Sequence, residues 1–520
     1  LTGCAFGATI TIVRNNQIGS VAMAELVGES QMLIDGDMVD ALSGKTFTNI
    51  NPATEEAIGE IADGGIEDVD RSVAAARRAF DETNWATDKA FRKKCLEQLQ
   101  SALDRHREDL RPLIVAEVGT PVALTHAVQM DSCIDDFSYD IGLIDNFEWE
   151  RDLPIHEFMG MTSARKVIHE PIGVVAAITP WNFPFMLNLS KIGPALAAGN
   201  TVILKPAADT PWSASFIGRV AAEETDIPAG VLNVVTSADK AAVGEFLVAD
   251  RRVDVISFTG SSQVGRRIMA QGADTLKRVF LELGGKSANI ILDDLDENSF
   301  KANVGSGAMI CMHAGQGCAI TTRMLLPSSR YDEGVAILEE GFANFPYGDP
   351  ADMGNLMGPL INATQRERVL GFIETGKSEG ARLLAGGKRP EHLKKGYFVE
   401  PTLFVDVDPD STIAQEEIFG PVLSVIRYED DADAVRIANN SHYGLSGSVA
   451  SASLERAMGI ARQIRVGTMS VNGGLYFGPD SPFGGYKDSG IGREHGLEGF
   501  AEYLETKTVG LPADAAGLKI

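Results

Sequence analysis

Between residues 172 and 292, short apolar runs alternate with longer amphipathic stretches, the pattern of parallel strands joined by helices that cross the sheet face. Ile172–Ile178, Thr201–Leu204, Val231–Val235, Val253–Phe258 and Val279–Leu283 are β-rich and predict strands, while Pro211–Glu224 and Gln263–Ala270 predict intervening helices. A doubly wound sheet follows. Upstream, Asp70–Phe80 and Lys89–Leu110 read as amphipathic helices covering one face of that sheet. A second alternating region from Ala288 to about Lys487 carries strand patterns at Met324–Leu326, Val422–Arg427, Ser446–Ala450 and Thr468–Val471, so a second α/β domain is expected. The glycine pair Gly284-Gly285 marks the boundary between the two.

The length of 520 residues fits two or three domains. With 44% hydrophobic and 23% charged residues the chain is globular rather than disordered. Its formal charge of −26 repels phosphate backbones and anionic headgroups, which argues against nucleic acid and membrane surfaces as partners. Pro171 to Ser190 is uncharged and long enough to span a bilayer, but Pro180, Asn182, Pro184 and Asn188 fit a strand, a loop and a helix start better. The five cysteines, Cys4, Cys95, Cys133, Cys311 and Cys318, form neither a disulfide framework nor a C-x-x-C metal or redox pair, so no metal is expected and a reducing cytoplasm fits. Arg14, Asn15, Asn16 and Gln17 interrupt any secretory signal in the opening stretch. Residues 1–22 read as an upstream extension before Met23, and residues 1–30 are expected to lie outside the fold.

In a doubly wound sheet ligands bind beyond the carboxyl ends of the strands. There the sequence reads Thr179-Pro180-Trp181-Asn182, Lys205-Pro206, Thr259-Gly260-Ser261 and Glu282-Leu283-Gly284-Gly285. Cys318 sits in Gly315-Gln316-Gly317-Cys318-Ala319, where small neighbours let a substrate approach the sulfur. Alone, that setting does not separate a nucleophile from a buried structural cysteine. In order along the chain, Pro180-Trp181-Asn182-Phe183-Pro184, Leu204-Lys205-Pro206, Phe258-Thr259-Gly260-Ser261, Glu417-Ile418-Phe419-Gly420-Pro421 and Pro482-Phe483-Gly484-Gly485 accompany it. This ordered set resembles the aldehyde dehydrogenase superfamily from about Met32 to Val509.

The resemblance implies two doubly wound α/β domains, one Rossmann-like for the cofactor and one catalytic, plus a small oligomerisation β-extension. The cofactor domain would comprise residues 31–148 and 172–283, the catalytic domain 284–488, and the oligomerisation segments 149–171 and 489–520. It implies Cys318 as the nucleophile on an aldehyde carbonyl and Asn182, with the Cys318 backbone N–H, as donors to the resulting oxyanion. Glu282 would be the general base for thioester hydrolysis, with Gly284 and Gly285 letting it swing, and Lys191 and Glu494 would relay protons. Thr179, Pro180, Trp181, Lys205, Gly260, Ser261, Gly265, Leu283, Glu417 and Phe419 would hold the dinucleotide. The substrate tunnel would be formed by Phe183, Met186, Leu187, Ser190, Met312, Gly317, Ala319, Phe477 and Phe483, which are apolar or small and favour a medium-sized apolar or aromatic aldehyde.

Two departures alter the expectation. Ala208 stands where many NAD-preferring members carry a glutamate, so the cofactor is expected to be NAD with NADP possible. His313 stands where asparagine is frequent. The competing readings are a CoA-acylating semialdehyde dehydrogenase, against which Glu282 argues, and a non-catalytic protein on the same fold. A homodimer or homotetramer is expected, with the alternating Thr506–Val509 stretch as an edge strand that pairs with another subunit.

Overall fold

A computed structural model describes residues 28–517. The opening segment up to residue 27, with Cys4, lies outside the described residues. Gly28 and Glu29, expected to be outside the fold, instead pack on it: a Cβ at Gly28 would strike the Trp212 ring, and Glu29 pairs with Arg219 at 3.4 Å.

The first sheet runs Asp37–Val39, Met32–Ile34, Leu232–Val234, Thr201–Lys205, Val174–Ile178, Val255–Thr259, Arg278–Glu282 and Gly490–Ile491. Its five central strands are parallel, as the apolar runs predict. Val174–Ile178, the earliest of these in the chain, lies between Thr201–Lys205 and Val255–Thr259, so strand order reverses beside it and a crevice opens at its carboxyl end. Side chains alternate between the two faces. Val175, Ala177, Val202 and Leu204 join one apolar cluster, whereas Val174, Ala176, Ile178 and Ile203 join another. The two upstream helices therefore do not share a face: Ile66–Glu82 buries Val69, Val73 and Ala76 on the second cluster, and Lys89–Arg105 buries Leu96 and Leu99 on the first. The expected single helix over 89–110 breaks at His106, whose ring meets Asp109 and Glu224, and resumes as Arg107–Val118.

The second sheet runs Arg382–Ala385, Thr402–Val405, Val422–Tyr428, Arg323–Pro327, Ala288–Ile291, Gly447–Ala450 and Ser470–Val471, parallel except for its first strand. The chain crosses from one sheet to the other between Glu282 and Ala288, around the glycine pair.

A third, antiparallel sheet joins Leu504–Pro512 to Met161–Pro171 and that strand to Glu150–Phe158. The stretch at Thr506–Val509 is thus an edge strand, but its partner within the chain is Met161–Pro171. The segment from 489 does not lie wholly in that sheet. Ile491 pairs with Leu281 in the first sheet, and Phe500 is buried in the first sheet's apolar cluster, its ring against Phe147 and Trp149. Among the described residues, no helix is long and apolar enough to cross a membrane.

Candidate active site

A cavity of about 380 Å³ opens at the reversal point of the first sheet and reaches across to the second. Its walls gather Pro180, Trp181, Asn182, Phe183, Met186 and Leu187 from the turn and helix after Val174–Ile178, and Gly260 and Ser261 from the turn after Val255–Thr259. Leu283, Met312, Gly317, Cys318, Ala319, Glu417, Phe419, Phe477, Phe483 and Glu494 complete the set of expected residues that it brings together. Pro184 at the first turn of the helix Pro184–Ala198 starts that helix directly after the Trp181-Asn182 turn, which fixes where Asn182 stands. Thr179, Lys191, Lys205, Gly265 and Glu282 are not on that wall, and Ser190 lines a neighbouring chamber.

Cys318 is half-buried on a loop that follows a run of left-handed backbone at His313, Ala314 and Gly315, with φ of 53°, 54° and 70°. Close packing forces glycine at Gly315, where a Cβ would stand 2.0 Å from the Gly420 carbonyl. Burial, reinforced by Glu282, Glu417 and Glu494, holds the Cys318 thiol well above its usual range, so it rests protonated at neutral pH. Asn182 Nδ2 donates to the Gln316 carbonyl at 2.9 Å, which uses one N–H and leaves the second for a ligand.

Glu282 is 1% exposed and neither of its carboxyl oxygens has a hydrogen-bond partner. Burial pushes its pKa well above the usual carboxylate range, Glu494 adds to the shift, and Lys191 opposes it. Gly284 and Gly285 serve close approach: a Cβ on Gly284 would meet Glu417 Oε2 at 2.5 Å, and one on Gly285 the Cys318 carbonyl at 2.3 Å.

Lys191 and Glu494 form a buried ion pair at 2.7 Å, extended by Lys191 Nζ to Ser257 Oγ at 3.1 Å. Removing one partner of such a pair strands a charge, so Lys191→Met is expected to lower stability by about 3–5 kcal/mol. The Lys191→Met/Glu494→Gln double variant should recover most of the loss. Guanidinium unfolding midpoints check both.

On the other side of the wall, Ser261 caps the helix Ser262–Gly272, whose first turn faces the cavity through Gln263. Gly265 contributes by packing, since a Cβ there would strike Leu283 at 2.8 Å. Glu417 Oε1 accepts from the Gly285 N–H at 2.8 Å, and the Phe419 ring meets Trp181 edge-on at 5.4 Å. Lys205 is 4% exposed with only the Pro206 carbonyl at 3.3 Å, and burial followed by nearby Lys240 brings its pKa down to about 8. Lys240 itself pairs with Asp209 at 2.8 Å, next to Ala208.

Sequence reasoning missed Leu124, Val128, Arg368, Tyr476 and His495, which also line the cavity. Leu124 and Val128 come from a region with no motif, and only the fold places them there. It missed equally a second chamber of about 320 Å³ that shares Val128, Met186, Phe477 and His495 with the first. Asp136 and Asp140 line it, so the tunnel is not wholly apolar; burial, then Asp136, pushes Asp140 up to about 8.

Residues 38–509 match the aldehyde dehydrogenase family, and the chain belongs to that family. A 3-succinoylsemialdehyde-pyridine dehydrogenase from a Pseudomonas species is 43% identical over 484 residues, covering 92% of this chain and 98% of that protein. Among solved structures, betaine aldehyde dehydrogenase from Staphylococcus aureus in complex with NAD+ has a TM-score of 0.90 at 34% identity, covering 96% of this chain and 97% of that one. An aldehyde dehydrogenase from Mycobacterium tuberculosis complexed with NAD+ has a TM-score of 0.89 at 41% identity, covering 95% and 100%.

Proposed function

We propose that the protein oxidises an aldehyde to the free carboxylic acid with NAD+ as hydride acceptor. The observation that carries this reading is the meeting of Cys318 and Asn182 on one cavity wall, with the unpartnered Glu282 carboxyl buried near Cys318. The Cys318 thiol gives up its proton to water, Sγ adds to the aldehyde carbon, and the second Asn182 N–H with the Cys318 backbone N–H takes up the oxyanion of the thiohemiacetal. Loss of hydride from that carbon leaves an acyl thioester on Cys318. Glu282, a stronger base for being desolvated, takes a proton from the attacking water, and Glu494 with Lys191 passes it outward.

The donor set fits a dinucleotide. Ser261 and the helix start of Ser262–Gly272 suit its pyrophosphate, the under-partnered Lys205 its adenosine ribose, and Glu417 its nicotinamide ribose. NAD+ supplies the hydride-accepting ring. The NAD+ complexes of the related structures support this choice. With Ala208 in place of an acid and Lys240 close by, NAD+ should be preferred over NADP+ by a modest margin. Lys240→Ala should widen that margin by lowering kcat/KM for NADP+ roughly tenfold while changing it little for NAD+. A tenfold preference of the unmodified protein for NADP+ would overturn this reading.

The aldehyde we favour is medium-sized and apolar or aromatic, because Phe183, Met186, Leu187, Phe477 and Phe483 line the inner wall and Arg368 is the only arginine or lysine there, among the described residues, to meet a substrate anion. Assembly as a homodimer or homotetramer would cover the third sheet, where Ile155, Phe158, Met159 and Met161 are exposed. The test is an aldehyde screen with NAD+, with and without coenzyme A. Free acid formed without coenzyme A supports the proposal; acyl-CoA formed only in its presence assigns the acylating reaction instead.

A further inference from the structure

The backbone carbonyl of Asn182 accepts two buried hydrogen bonds, from His313 Nε2 at 2.7 Å and from Gln129 Nε2 at 3.0 Å. Those nitrogens stand 3.4 Å apart. Both are donors converging on one oxygen, so their mutual contact is a consequence of the shared acceptor. His313 is 2% exposed, its Nδ1 has no partner, and its ring packs on Phe183 with centroids 5.0 Å apart.

We infer that His313, as the neutral Nε2–H imidazole and together with Gln129, is a positioning residue that fixes the Asn182 backbone so that its free side-chain N–H stays aimed at the aldehyde oxygen. The inference rests on the function proposed above. The same loop grips Asn182 twice: His313 holds its carbonyl, and three residues on, the Gln316 carbonyl holds its Nδ2. Cys318 follows two residues later, so oxyanion donor and nucleophile are registered to one piece of backbone. That backbone is itself constrained. His313 and Ala314 both occupy the left-handed region, and the His313 N–H donates to the Leu356 carbonyl at 3.1 Å while its own carbonyl accepts from Gln316 N and Nε2 at 3.2 Å each. An apolar residue would fill the same space but supply no N–H. An imidazolium would bring an uncompensated buried charge, and burial accordingly lowers the His313 pKa to about 4, so the donor keeps one form across the working range.

Steady-state kinetics of the full-length protein at saturating NAD+ test the role. His313→Leu should lower kcat by about 10- to 100-fold with little change in the KM for NAD+, and His313→Gln, which places an amide N–H near the Nε2 position, should restore it to within roughly threefold. Gln129→Leu should act in the same direction. A leucine variant within about twofold of the unmodified kcat, or glutamine and leucine variants equally impaired, would overturn the inference. Histidine-labelled ¹⁵N spectra, assigned with His313→Gln, give a readout that needs no turnover. A neutral Nε2–H resonance, unchanged between about pH 5 and 9, is expected. An Nδ1–H tautomer or an imidazolium overturns the inference even if the variants are inactive or unfolded. If the unmodified protein oxidises no aldehyde while the Nε2–H signal stands, the functional proposal has failed, and the hydrogen bond to Asn182 has not.

Discussion

Replacing Cys318 with alanine is expected to lower aldehyde oxidation on the order of 10⁴-fold or more, because among the described residues it is the only cysteine lining the inner cavity. Dinucleotide binding should persist, since the residues proposed for it stand on the first sheet and on the Glu417 loop, not on the Cys318 loop. Serine is no substitute: its hydroxyl is a far weaker acid than a thiol, and the same burial and carboxylate neighbours that raise the Cys318 pKa would oppose an alkoxide still more strongly. Cys95 and Cys133 are buried in the cluster of the first domain and Cys311 in that of the second, so conservative replacement there should affect stability rather than turnover. Activity of each variant with a good aldehyde, alongside NAD+ titration, checks both halves.

Glu282→Gln is expected to separate the two chemical steps. The amide keeps the size of the carboxyl but takes no proton from water, so the thioester should accumulate after hydride transfer and steady turnover should fall by about 10²- to 10⁴-fold. A rapid burst of reduced nicotinamide, up to one per active site, should precede it. The burst requires Cys318 to ionise without Glu282. Loss of the nearby carboxylate favours this, since Glu282 stands among the charges that raise the thiol pKa. In the unmodified protein, deacylation should quicken as pH rises through the elevated pKa of Glu282, because only its ionised form acts as base. A variant without burst and without acyl-enzyme would show that Glu282 activates the thiol, and its assignment to hydrolysis alone would fall.

The parallel strands of the first sheet were legible because each is a short β-rich run buried on both faces, so sequence and structure agree within two residues at Thr201–Lys205 and Val255–Thr259. Short elements whose pairing is set by distant partners were not. Gly490–Ile491 is only two residues long and becomes a strand through Leu281 and Glu282, far away in the chain. The hairpin from Met32 to Val39 left its trace in Asp35-Gly36, whose φ values of 57° and 86° suit a tight turn, but a three-residue strand on each side carries too little pattern to read. In the site, the residues that stand in motifs were foreseen. Those that act through depth were not: Gln129 and His495 reach the cavity region from segments with no signal of their own, and the strands Ala288–Ile291 and Thr402–Val405 were passed over though fully buried. His313 was visible only as an unusual residue. Its partner became known when the loop and the Asn182 turn met in space.

The most direct measurement is intact-mass and peptide analysis of Glu282→Gln quenched within its first turnover with aldehyde and NAD+. The account predicts a gain equal to the acyl group, one per chain, on the peptide carrying Cys318, and none when NAD+ is omitted. An acyl group on another residue, or a bare Cys318 in protein that is forming acid, would contradict it.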